Sequence, residues 1–398
     1  MNGILKKLSL SFCVMLSVSC VFADKDLERW DKRMAVDSIP ADTNGIKWVD
    51  GKLLPLEGKA YEDVDCYYDR LPSSVTTNVN AGVRGMKGHS SGLAFRFVTD
   101  AKKMVARWKL RRPARPGNNM TGILQSGIDI YARGKSGKWR YFRTGRPKVD
   151  DGEIAFPWIP GEECLIYLPL YNGISDFTLG INDGATINAP ARRTFAAKPV
   201  VFYGTSITHG GCASRPGLGF VNIISRDLDV DIVNLGFSGS GVMEFEMSEH
   251  LSRIDASCYV LDCLWNMSLD DRGNGRSVKG NYEPFIRNLR AKRPDVPIIM
   301  AEQCDVYMAG PNSKDIFMKA LYEKLKAEGW KKLYYLPKDG MYTGDLEGTV
   351  DGCHPNDLGM VTMAKAFGDA VKKAVADQGR KSSFKFWTWL FDDTSVAR

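Results

Sequence analysis

Histidine is scarce in this chain, with four in 398 residues, at positions 89, 209, 250 and 354. No Cys-x-x-Cys pair occurs either. Structural zinc sites draw on clustered Cys and His, so the sequence argues against one, and no cofactor is expected. Charge of one sign is not in large excess. Lys and Arg number 54 against 47 Asp and Glu, a net +7, which over this length does not point to a nucleic-acid partner. The densest basic run, 107–115 (RWKLRRPAR), reads as a solvated loop, with a face for an anionic polymer as the other reading. After residue 22 no apolar run approaches the length of a membrane span. Repeats and low-complexity linkers are also missing, so the parts of the chain are expected to pack tightly. What is present is 44% hydrophobic and 25% charged residues, ordinary for a globular protein with a sizeable core, and a length that suits two domains.

The first residues carry a separate signal. Lys6 and Lys7 precede the apolar run 8–22, which closes in Val21-Phe22-Ala23 before the charged Asp24. A short basic segment, a short apolar segment and small residues before a cut after Ala23 describe a secretory signal peptide, so export to a periplasmic or extracellular space is expected. Lipid anchoring through Cys20 is the second reading, although the usual Leu three residues before the Cys is missing. Without Cys13 and Cys20, seven cysteines remain: Cys66, Cys164, Cys212, Cys258, Cys263, Cys304 and Cys353. An odd number leaves at least one thiol unpaired in an oxidising compartment, and the pairing is not readable.

Beyond the leader the chain has two rhythms. From 24 to 195 the apolar residues alternate over short stretches such as 93–98, 105–110, 128–132 and 164–170, separated by turn signals like Gly134-Lys135-Ser136-Gly137. That spacing predicts a β-sandwich, jelly-roll-like in character. From 196 to 378 the pattern changes. Apolar runs at 200–203, 232–235, 259–264, 296–301 and 333–336 alternate with helical stretches at 220–228, 282–292, 314–327 and 357–376. Five short strands between amphipathic helices predict a parallel sheet covered on both faces, with the active edge at the strands' C-terminal ends. The remaining 379–398 form a tail with an aromatic stretch at 384–391 (FKFWTWLF).

Three strand ends and the loop before the last helix carry polar groups in a telling order. The first strand runs into Gly204-Thr205-Ser206, the second into Gly236-Phe237-Ser238-Gly239, the third into Trp265-Asn266-Met267, and Asp351-Gly352-Cys353-His354 precedes the last helix. A serine at a strand-to-helix turn exposes its hydroxyl beside backbone N–H groups, though a helix N-cap explains such a residue equally well. A carboxylate three residues before a histidine on a loop can orient the imidazole. Other residues have two readings. His209 could touch substrate or simply be a polar residue on a first helical turn, and Arg215 could bind substrate or anchor its loop. Trp108, Trp139 and Trp265 could stack on sugars or lie in the core. Asn119-Met120-Thr121 and Asn266-Met267-Ser268 are formal glycosylation sequons.

Taken together, the Ser, Gly, Asn and Asp/His blocks resemble the SGNH (GDSL-like) hydrolase superfamily over about 199–376. The resemblance implies a flavodoxin-like three-layer α/β/α domain with Ser206 as nucleophile and Asp351 and His354 as its partners. It also implies an oxyanion hole from Ser206, Gly239 and Asn266, with no metal. The first block reads Gly-Thr-Ser-Ile where the commonest form is Gly-Asp-Ser-Leu, and the third reads Leu-Trp-Asn-Met rather than Gly-x-Asn-Asp. Gly127-Ile128-Asp129-Ile130-Tyr131 is similar to the GxDLY signature of an N-terminal β domain that precedes such hydrolases in bacteria. The expected function is a secreted serine esterase acting on short acyl, chiefly acetyl, esters of carbohydrates through an acyl-enzyme. A lipid or thioester acyl hydrolase and an inert carbohydrate-binding relative are the alternatives. The expected partner is a small-molecule or glycan ester, and oligomeric state is not readable.

Overall fold

A computed structural model describes residues 35–304 and 311–379; the signal-like segment at 1–23 and the aromatic stretch at 384–391 lie outside the described residues. The first half contains β1 (Ile46–Asp50), β2 (Leu56–Glu57), β3 (Ala94–Thr99), β4 (Lys103–Leu110), β5 (Ile128–Arg133), β6 (Trp139–Gly145), β7 (Asp151–Pro157), β8 (Glu163–Tyr167), β9 (Ile174–Asn182) and β10 (Ile187–Asn188). They form two antiparallel sheets, one ordered β1-β9-β4-β7 and the other β10-β3-β8-β5-β6 with β2 on β3. Period-two patterning sets their inner faces. In β4, Met104, Ala106, Trp108 and Leu110 are buried while Lys103, Arg107 and Lys109 are exposed. Phe95, Phe97, Trp108, Ile130, Phe156 and Phe177 share the core between the sheets, as in a β-sandwich. A Cβ at Gly152 would sit 1.9 Å from the Trp108 ring. The glycine therefore makes the room that the indole fills.

The second half is a five-stranded sheet, parallel throughout: β11 (Val200–Gly204), β12 (Ile232–Gly236), β13 (Cys258–Asp262), β14 (Ile298–Ala301) and β15 (Leu333–Leu336), ordered β12-β11-β13-β14-β15. Every residue of β11, β12 and β13 is buried, because helices cover both faces. Val201 and Tyr203 join the core under helices Phe245–Ser252, Val278–Lys292 and Ser313–Ala327. Val200 and Phe202 join the opposite core, under Phe220–Leu228 and Asp357–Gly379. The order is flavodoxin-like, and the chain's direction of travel reverses at β11. The crevice for a ligand is expected outside the carboxyl ends of the strands flanking that point.

The halves are joined by buried polar groups as well as apolar ones. Tyr61, Leu71, Val75, Val79 and Val83 pack into the core of the parallel sheet. The fully buried Arg70 donates to the carbonyls of Met86, His89, Asn234 and Gly236, which ties the end of β12 to the first half. Burial pushes its guanidinium down to about 9. At the other side of the joint, Arg193 bridges Glu57 (2.6 Å) and Asp229 (3.1 Å), and Arg133 also reaches Asp229 at 2.9 Å. Among the described residues no helix is long and apolar enough to cross a membrane.

Candidate active site

The turn that carries Ser206 is built on a close approach of two strands. A Cβ at Gly204 would lie 2.1 Å from Thr208 Oγ1 and 2.6 Å from the Asp262 carbonyl, so a side chain there would collide with the helix that follows and with the end of β13. Thr205 then caps a one-turn helix, Ser206–His209, by accepting from the Ile207 N–H, and Gly210 ends it at φ 101°. Ser206 is therefore the first helical residue, and its N–H has no acceptor within the helix. Its Oγ lies 2.8 Å from His354 Nε2. The N-cap role belongs to Thr205, which leaves the serine hydroxyl to the histidine.

His354 sits on a tight loop organised by Asp351. Asp351 Oδ1 accepts the backbone N–H groups of Cys353 (3.0 Å) and His354 (2.8 Å), and Oδ2 lies 2.9 Å from His354 Nδ1. Asn119, from the β half, donates its side-chain amide to the same Oδ2 at 2.9 Å. Partial burial pushes the Asp351 carboxyl up. The hydrogen bonds from the His354 backbone, Asn119 and the His354 side chain outweigh it and hold the group below the usual carboxylate range. A carboxylate kept ionised beside one ring nitrogen, with a hydroxyl at the other, is an arrangement able to move the serine proton onto the imidazole.

Gly239 and Asn266 meet at one turn beside this pair. Phe237 N–H donates to the Gly204 carbonyl at 3.0 Å, which sets the turn after β12 against the end of β11. Gly239 adopts φ 64° with open space where a Cβ would be, so its conformation rather than crowding demands glycine. Arg276 Nη1 holds its carbonyl at 2.8 Å. The Asn266 amide faces the carbonyls of Gly241 (3.2 Å) and Phe237 (3.4 Å) in the same turn.

Several residues with two readings now have a place. His209 is fully buried, not on a substrate surface. Its Nε2 lies 2.6 Å from the Leu170 carbonyl and 3.3 Å from His89 Nδ1, and burial keeps both rings well below the ordinary histidine value. Arg215 is an anchor, bonded to Asp129 (2.6 Å) and the Tyr131 hydroxyl (2.7 Å), the acidic and aromatic residues of the Gly127–Tyr131 motif. Trp108 is core and donates to the Ser126 carbonyl at 2.9 Å. Trp139 lies half-buried under Arg133, 4.7 Å from ring to guanidinium. Trp265 is half-buried and donates to the Cys304 carbonyl. In the basic run, Arg107 pairs with Glu153, Arg111 with Asp69, and Arg112 touches His89.

Two site residues escaped the sequence reading. Asn119 stood out only as a sequon. Tyr171 did not stand out, yet its hydroxyl donates to the Ser206 carbonyl at 3.0 Å and its ring stacks on His209 with centroids 4.2 Å apart. Both come from the β half.

Residues 197–372 match the model of the GDSL-like Lipase/Acylhydrolase family, and residues 46–187 match GxDLY, the N-terminus of SGNH-hydrolase-type esterases. No curated protein matches the chain. Among solved structures it is similar to a candidate GDSL-like lipase from Bacteroides ovatus ATCC 8483, with 31% identity and a TM-score of 0.74 over 83% of this chain and 98% of that one. A salicylyl-acyltransferase from a tetracycline biosynthetic pathway shares the fold at 18% identity and TM-score 0.67, over 85% of this chain and 99% of that one. So does a family two carbohydrate esterase from Clostridium thermocellum, solved with cellohexaose, at 13% identity and TM-score 0.54, over 72% of this chain and 93% of that one. Since the 31% identical relative spans both halves and each half also matches its own model in order, the chain belongs to the GDSL-like lipase/acylhydrolase family and is a serine ester hydrolase.

Proposed function

We propose that the chain is an exported esterase that removes short acyl groups, chiefly acetyl, from carbohydrates, using Ser206, His354 and Asp351 as a triad. The observation that carries the triad is the continuous path from Ser206 Oγ through His354 to Asp351, with contacts of 2.8 Å and 2.9 Å. Export rests on the leader pattern at 1–23. The carbohydrate assignment draws support from the fold shared with a carbohydrate esterase solved with cellohexaose.

In this reading His354 takes the Ser206 proton as Oγ attacks the ester carbonyl, and Asp351 stabilises the imidazolium. The N–H groups of Ser206 and Gly239 and the Asn266 amide receive the oxyanion, each worth about 3 kcal/mol. His354 then protonates the leaving alcohol, and water attacks the acyl-enzyme by the same route in reverse.

The test is hydrolysis of p-nitrophenyl esters from acetate to octanoate by the wild type and Ser206→Ala. Turnover is expected to fall with chain length and to vanish in the variant, whose thermal unfolding should match the wild type. A preference for octanoate overturns the short-acyl assignment. Full activity in Ser206→Ala overturns the nucleophile.

A further inference from the structure

Cys212 lies beside the triad in a conformation that a non-glycine residue rarely adopts. Its φ is 72°, in the left-handed region where a Cβ costs energy, and its side chain is buried against the catalytic loop. The stretch carrying it is pressed onto that loop from several sides. Gly211 N–H donates to the Ser206 carbonyl at 2.8 Å, and a Cβ on Gly211 would lie 3.4 Å from His354 Cδ2. Ser214 N–H donates to Asp357 Oδ1 at 2.8 Å, and Thr121 holds the Ser214 carbonyl at 2.8 Å. As a result, one ligand atom each from Cys212, Asp351 and His354 lies within 4.8 Å of the other two.

We propose that these three side chains form a binding site for a soft divalent metal ion, Zn²⁺ by chemistry, and that its occupation silences the enzyme. Thiolate, imidazole and carboxylate are the donors zinc takes, and three protein ligands with a water in the fourth position is a common count. Bond lengths of about 2.3 Å to sulfur and about 2.0 Å to nitrogen place tetrahedral donors roughly 3.5 Å apart, which a modest side-chain rotation supplies. Asp351 is one-third exposed and His354 one-fifth, so the ion has a path from solvent. Binding displaces the Cys212 thiol proton to solvent and moves no electrons.

The inhibition follows from imidazole chemistry. A metal on Nδ1 leaves the single ring proton on Nε2, which then faces Ser206 as a donor and cannot accept its proton. A metal on Nε2 occupies that lone pair directly. The site itself goes beyond the esterase reading; only the inhibition rests on His354 being the base.

The full chain is titrated with Co²⁺ as a spectroscopic probe and with Zn²⁺ as an inhibitor of p-nitrophenyl acetate hydrolysis. An equimolar thiolate-to-cobalt absorption band is expected in the wild type and not in Cys212→Ser. Zn²⁺ is expected to inhibit the wild type reversibly, with a chelator restoring the rate. Losing even a hydrogen-bond partner of a metal ligand costs about 10–100-fold in affinity. Removing the ligand itself should therefore weaken inhibition by at least roughly tenfold, each variant being scored against its own metal-free rate. Cys212→Gly, which suits the left-handed backbone, serves as the second variant if the serine form does not fold. No band in the wild type, or a band that persists in both variants, overturns the site. A Cys212-dependent band without inhibition means that the ion does not take His354 and overturns the three-ligand site, while the esterase reading is decided separately by Ser206→Ala.

Discussion

Asn119 and Asp351 are 232 positions apart in sequence, yet the Asn119 amide donates to Asp351 Oδ2 at 2.9 Å, the oxygen that also faces His354 Nδ1. The β half thus completes the hydrogen-bonding of a carboxylate in the α/β half. This contact assigns Asn119 a positioning role through Asp351. A hydrogen bond to a charged group contributes about 1.5–3 kcal/mol, and about 1.4 kcal/mol is tenfold in rate. Asn119→Ala should therefore lower kcat roughly tenfold with KM little changed. Asn119→Asp, which sets a second negative charge against Asp351, should lower it further. Steady-state kinetics on p-nitrophenyl acetate decide the matter, and a change confined to KM would reassign Asn119 to substrate binding.

Asp129 gives the Gly127–Tyr131 motif a physical role. It is fully buried and accepts from Arg215 (2.6 Å), Gly217 N–H (2.8 Å) and Thr144 (2.5 Å), so it clamps the loop after the Ser206–His209 helix to the β half. Removing Arg215 strands a buried carboxylate, a change that typically costs about 3–5 kcal/mol. Arg215 keeps a fifth of its side chain exposed, which favours the lower end. Arg215→Ala should lower the unfolding free energy by about 3 kcal/mol, read as a lower urea midpoint at constant m-value. Adding Asp129→Asn should recover part of the loss, because the orphaned charge is then gone. If the two losses simply add, the clamp is not electrostatic.

Most of the fold could be read from periodicity, and the reasons for the gaps are specific. The apolar runs at 200–203 and 232–235 became β11 and β12, because strands buried on both faces leave a nearly continuous apolar signature. Helix Val278–Lys292 begins four residues before its periodic stretch, since Gly280 and Pro284 mask the first turns while Ser277 caps them. Helix Phe245–Ser252 carries too few apolar positions to announce itself. The candidates Ser206, Gly239, Asn266, Asp351 and His354 could be named because the first three follow strands and the last two precede a helix at the expected sheet edge. Asn119 and Tyr171 could not, because tertiary contact alone brings them to the site and no local pattern encodes it.

Gly239 separates conformation from packing. Its φ of 64° disfavours any side chain, while a Cβ would meet nothing within 4 Å. Gly239→Ala should cost about 1–2 kcal/mol in stability from backbone strain. Relief of that strain swings the peptide whose N–H we assign to the oxyanion, so turnover should fall as well. Asn tolerates this region better than Ala, and Gly239→Asn is expected to retain more of both. Equal behaviour of the two variants in kcat and in thermal unfolding would remove the conformational argument.

Asp262 is buried at the end of β13, where Thr208 Oγ1 donates to its Oδ2 at 2.7 Å. Burial raises its carboxyl from 3.8 to about 7, with the Thr208 hydrogen bond acting the other way. Because the folded value lies above the unfolded one, the folded state binds the extra proton between about pH 4 and 7. The cost of burying the charge is absent below that window, grows through it and is fully present above it. Asp262→Asn keeps an acceptor for Thr208 and cannot ionise. Its stability relative to the wild type should therefore be greater at pH 8 than at pH 5, as read by urea denaturation at both values. Activity provides a second check, since Thr208 belongs to the same short helix as Ser206. The asparagine variant should keep its turnover across this range if Asp262 serves the position of that helix and not the chemistry. A difference in stability that is the same at both pH values would mean that Asp262 is already ionised in the fold at pH 5.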